Sequence, residues 1–114
     1  MVPPTAAFIV CCYGLYDQEI RNELQMVGYY QYLSQVAEVT NLIPMAPIIL
    51  AGGATWPGDR RTEAETVYLA LAISGLVSPD RPIGNIFCQG ASLDTVSNIL
   101  MSRQMIGQLF PKVN

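Results

Sequence analysis

The sequence predicts an α/β fold of Rossmann-like type, three layers with a parallel sheet, in the order β-α-β-α-β-α. Two observations predict it. Apolar runs at 6–12 and 48–51 have the pattern of strands buried on both faces, and 84–88 reads as a third strand. Each run is followed by a longer segment whose apolar residues recur at three and four positions, the period of a helix. Strands alternating with helices imply parallel pairing through right-handed crossovers.

The first run, rich in strand formers, ends at Tyr13-Gly14. In 17–39 the residues Ile20, Leu24 and Val27, then Met26, Tyr29/Tyr30, Leu33 and Val36/Ala37, trace a long helix with Asp17 as its expected N-cap. Pro44 and Pro47 punctuate the chain before the second strand, which stops at Gly52-Gly53. The segment 63–74 is the second helix, with Ala64, Val67/Tyr68 and Leu71/Ala72 as its apolar stripe. Thr62 with Glu65 fits a capping box, and Gly75 stands where a helix-ending glycine belongs. The third helix is expected to start near Ser92 or Asp94, with Val96, Ile99/Leu100, Ile106 and Leu109/Phe110 facing inward, and Pro111 closes it.

At 114 residues one domain is expected, 1–114, with a modest core. The chain is 51% hydrophobic but only 13% charged, so much of its surface should be covered, by a partner copy or by further chain. A net charge of −3 without any basic run argues against nucleic acid. Cys11, Cys12 and Cys88, with no CxxC spacing and no histidine anywhere, argue against a disulfide scaffold and a zinc site; they read as small buried hydrophobes. No run reaches the ~18 apolar residues of a membrane span, and the start lacks a positive n-region. A soluble, cytoplasmic chain is expected.

In such folds ligands bind beyond the carboxyl ends of the strands. Three junctions meet there: Tyr13-Gly14-Leu15, Gly52 through Glu63, and Gln89 through Asn98. Gly52 and Gly53 would let a ligand approach the backbone, the helix amides at 62–65 would offer donors, and Arg60 and Arg61 planar guanidinium groups for phosphate or carboxylate. A glycine turn with a solvated, salt-bridged loop accounts for the same residues. Neither the dinucleotide fingerprint nor a P-loop is present, so no cofactor is named. Glu63 either favours the helix dipole or points into a cleft as general base or hydrogen-bond acceptor. Ser92-x-x-Thr95-x-x-Asn98, continuing to Ser102, places a polar ridge on the third helix. Capping explains Ser92, but Asn98 lies beyond the cap.

The motifs "ILAGG", then "TEAETV", then "SLDTVSNIL" resemble the YdcF-like family (the ElyC/SanA group of bacterial proteins), over residues 6 to about 109. Gly52, Gly53, Glu63, Ala64, Ser92, Thr95 and Asn98 fall on its motif positions. The resemblance implies a Rossmann-like domain, links to the bacterial cell envelope, and no single established activity. Two departures stand out. Gln89 occupies a position where the family commonly has Glu, and the family continues into a fourth strand bearing His and Arg, so the chain reads as the front, partial portion of that domain.

The implied function is binding of an anionic, nucleotide-like or phosphate-bearing small molecule. Glu63 would be acceptor or catalytic base, Arg60 or Arg61 a phosphate clamp, Gly14, Gly52 and Gly53 the cradle, and Ser92, Thr95 and Asn98 the orienting groups. The alternative is a non-catalytic remnant that binds or self-associates through an open sheet edge.

Overall fold

A computed structural model describes residues 4–82 and 84–113. Its elements follow the expected order: β1 (Phe8–Cys11), α1 (Glu23–Thr40), β2 (Ile48–Ala51), α2 (Glu63–Ser74), β3 (Ile86–Gln89) and α3 (Thr95–Leu109). The three strands pair in parallel in the order β1-β2-β3, with Phe8 opposite Ile48 and Ile48 opposite Ile86.

Because both crossovers step the same way across the sheet, right-handedness puts α1 and α2 on one face. The core agrees. Tyr29 and Leu33 of α1 and Ala64, Val67, Ala70 and Leu71 of α2 pack with Val10, Cys12, Ile48 and Leu50. Side chains alternate along a strand, so Ile49, Ala51 and Gln89 point to the opposite face, which α3 covers alone. Central β2 is at most 1% exposed along its whole length, the reason its sequence is apolar without alternation.

The capping box at Thr62 and Glu65 is present, and Gly75 takes the left-handed conformation at φ 74°. Three expectations need correction. First, α1 starts at Glu23, not near Asp17: Asn22 and Gln25 form its capping box, while Asp17 accepts from the amides of Ile20 and Arg21 in a preceding turn. Second, β3 begins at Ile86 and runs through Gln89.

Third, α3 is turned the other way. Its buried residues are Asn98, Ser102 and Ile106, whereas Val96 and Leu100 are 67% and 59% exposed. The polar ridge faces the sheet and most of the expected apolar stripe faces out. The cause is Gln89 on the sheet face, whose amide reaches Ser92 and Ser102. An apolar helix face laid over that amide would leave it unpaired.

Arg81, 7% exposed, fastens the opposite end of the sheet. Its guanidinium donates to the carbonyls of Ala46 and Thr40, joining the end of α1 to the start of β2. No helix among the described residues is long and apolar enough to cross a membrane.

Candidate functional site

The three junctions do converge at the carboxyl edge of the sheet. Gly52 donates to the carbonyl of Gln89 (2.9 Å), and Cys12 donates to Ala51 (2.9 Å). Each junction is built differently from a ligand cradle.

At the first, Gly14 has φ +92°, a conformation that L side chains rarely adopt. The group beside it is the Arg21 guanidinium, which a Cβ would meet at 1.9 Å. Arg21 donates to Leu15 O (2.6 Å) and Tyr13 O (2.7 Å) and lies 5.0 Å from the centre of the Tyr29 ring. Tyr29 stacks on Tyr13 at 4.1 Å and donates its hydroxyl to Gly14 O. Gly14 thus seats a side chain of the chain itself.

At the second, a Cβ on Gly52 would lie 2.8 Å from Glu63 Cβ, and one on Gly53 2.3 Å from the Ser92 carbonyl oxygen. The glycines let loops interlock. The amides opening α2 are also engaged: Thr62 N bonds Glu65 Oε1, Glu63 N bonds Gly53 O, Ala64 N bonds Gly52 O and Glu65 N bonds Thr62 Oγ1. A phosphate would find none of these donors free.

Glu63 itself is 7% exposed. Its Oε2 accepts from the Thr55 hydroxyl, and no cation among the described residues pairs with it. Burying a carboxyl group without a cation is unfavourable, so a lone hydroxyl is a sparse set of partners. Thr55 belongs to the exposed loop 54–58, which lies across this position. Beneath it Cys12 is buried, its thiol pushed up to about 12 by burial and then by the Glu63 charge, which keeps it neutral.

At the third, Gln89 Oε1 accepts from the amides of Ala91 and Ser92, its Nε2 donates to Ser92 Oγ (3.0 Å), and the Ser92 hydroxyl donates to Asn98 Oδ1. A glutamate at position 89 could not donate to Ser92, so the amide suits this network. Asp94 caps α3 by accepting from Ser97 N (2.7 Å).

Gly52, Gly53, Glu63, Ser92 and Asn98 therefore form one contiguous cluster. Gly14 sits at the neighbouring junction, and Thr95 is exposed at the start of α3, apart from them. Arg60 is exposed and makes no ion pair among the described residues. Arg61 turns away, bound to Asp17 (2.6 Å) and Asp59 (2.7 Å). Its hydrogen bonds hold Asp59 down at about 2, and the Glu19 amide followed by Arg61 lowers Asp17. Thr55 and Arg21 were not singled out in the sequence. A loop threonine carries no pattern, and the role of Arg21 depends on a glycine seven residues earlier. Of the cysteines, Cys12 is buried as expected, Cys11 is half-buried and Cys88 is exposed.

Compared with protein-family models, with curated proteins and with solved structures, the chain finds no match in any of the three.

Proposed function

We propose that the chain is a small-molecule-binding α/β domain of YdcF-like type whose ligand carries both a hydroxyl and a phosphate, as nucleotides and sugar phosphates do. One observation carries the reading: Glu63, buried at the carboxyl edge of the sheet, is held by a hydroxyl and by no cation among the described residues. A ligand hydroxyl that displaces Thr55 would satisfy the same acceptor. With the α2 amides engaged, the phosphate falls to the side chain of Arg60. Glu63 is then the ligand's acceptor, and the general base if a reaction follows. A sugar-phosphate ligand also suits an envelope-related role.

Thermal melts with adenosyl, nucleotide and sugar-phosphate ligands test this. At a hundred times its dissociation constant a ligand adds about 2.7 kcal/mol, a rise of roughly 10 °C or more for a domain this size. The expected result is a rise with one phosphate-bearing class, abolished in Glu63→Gln and reduced in Arg60→Ala. A melt that no class moves, or that Glu63→Gln leaves equally responsive, overturns the reading.

A second reading, a non-catalytic association module, is favoured by the outer face of α3. Val96 and Leu100 are 67% and 59% exposed there, and Leu93, just ahead of the helix, is 70% exposed. It predicts that Glu63→Gln changes nothing beyond stability.

A further inference from the structure

β1 is an outer strand of the sheet. Phe8 N bonds Pro47 O and Cys12 N bonds Ala51 O, so the residues at 8, 10 and 12 face β2. Alternation turns the N–H and C=O of Ile9 and Cys11 outward. The Tyr32 hydroxyl takes the Cys11 carbonyl (2.9 Å), and among the described residues nothing pairs with the groups at Ile9 and the Cys11 N–H.

Natural sheets guard such edges with charges, prolines or bulges. The β1 sequence, FIVC, has none. Alongside runs a groove of about 260 Å³ whose walls include Phe8, Ile9, Val10, Tyr32, Val36 and Val39, and no charged residue lines it. The other edge differs: at β3 the Cys88 thiol is pushed up by burial and then by the Glu65 charge, so a carboxylate stands near that strand.

The accessible surface also asks for a cover. The chain exposes 7146 Å², where a compact monomer of its 12.5 kDa would expose about 6,200 Å². The excess of roughly 900 Å² matches the ~800 Å² that each partner buries in a standard interface.

We propose that two copies of this chain join β1 to β1, antiparallel across a two-fold axis, into one continuous six-stranded sheet. A strand edge is self-complementary under that symmetry, each Ile9 exchanging backbone bonds with its counterpart. An axis perpendicular to the sheet sets both α1 helices on the same face, where Tyr32, Val36 and Val39 of each flank the seam. An uncharged groove lets identical surfaces meet without like-charge repulsion. The inference stands on the sheet edge and not on Glu63, so the two proposals fail separately.

Sedimentation equilibrium over the micromolar range tests it, with hydrogen exchange at low and high concentration. The expected result is a mass rising from 12.5 kDa to twice that value, with slowing of the Ile9 and Cys11 amides. Ile9→Pro removes the outward N–H while sparing the bonds to β2, and should give a monomer. Val39→Lys alters no sheet bond, places like charges at the seam, and should weaken the dimer at least tenfold. It decides the matter if Ile9→Pro fails to fold. A single 12.5 kDa species at every concentration, or a dimer indifferent to Val39→Lys, overturns the proposal.

Discussion

Arg61 shows how one side chain fixes a loop that no regular element holds. Its guanidinium bridges Asp17, ahead of α1, to Asp59, at the end of the loop over Glu63. Both carboxyl groups are lowered from 3.8, Asp59 to about 2. A carboxyl group depressed by folding contributes stability that is present above its unfolded value and lost as pH falls through its folded one. The tether should therefore loosen between about pH 4 and pH 2 and be unaffected at neutral pH. The single tryptophan, Trp56, accepts from the Asp59 amide in the same turn and reports the event. Its emission should titrate in that window in the wild type and lose that transition in Arg61→Gln. An unchanged titration in the variant would dissociate Arg61 from the loop. Arg61 is exposed and both carboxyl groups lie at the surface, partly covered, so the contribution to global stability is small and screened by salt.

At the scale of the element, α3 tests what holds a helix to a sheet. Its inward ridge is fastened by hydrogen bonds among Gln89, Ser92, Asn98 and Ser102, with Ile106 as its buried hydrophobe. Asn98→Leu would strip the Ser92 hydroxyl of its acceptor and should cost about 1–3 kcal/mol. Leu100→Lys, on the outer face, should stay within about 0.5 kcal/mol. Denaturant melts compare the two, and the reverse ranking would mean that α3 packs by its apolar stripe. That stripe is also where the sequence misleads. Hydrophobic spacing locates a helix, but the inward face was decided by Gln89, the last residue of β3, whose partners on α3 could not be read from spacing. Local signals fared better: Thr62 with Glu65, Gly75 and the three apolar runs act within a few residues, so they were legible. Asp17 misled because a capping residue five positions ahead of Asn22 looks equally competent until Arg61 claims it. In the candidate site, the nearness of Gly52-Gly53 to Glu63 could be read from the strand-to-helix junction. The Thr55 contact could not.

The whole molecule is asymmetric about its sheet. On the face of α1 and α2, Val10, Tyr29, Leu33, Ile48, Leu50, Val67 and Leu71 form the core. Opposite, α3 is the one helix among the described residues over Ile49 and Ala51, its buried face largely polar, with Phe110 edge-on to Phe87 at 5.5 Å. Each buried aliphatic side chain contributes about 1.5–3 kcal/mol, and each hydrogen bond a net of about 0.5–1.5 kcal/mol. The α3 layer is thus the weaker attachment and should open before the sheet does. Such opening would part Ser92 from Gly53 at a junction that is otherwise close-packed, and so make room beside Glu63 for a ligand. Native-state hydrogen exchange under mild denaturant checks this. Amides of residues 99–106 should exchange with a lower free energy and a shallower denaturant dependence than those of Ile49 and Leu50, which should exchange only on global unfolding. A ligand that occupies this room at Glu63 should favour the open state, speeding the α3 amides and leaving those of β2 unchanged. A single shared isotherm for both sets would mean that the two faces unfold as one unit and that the site has no such door.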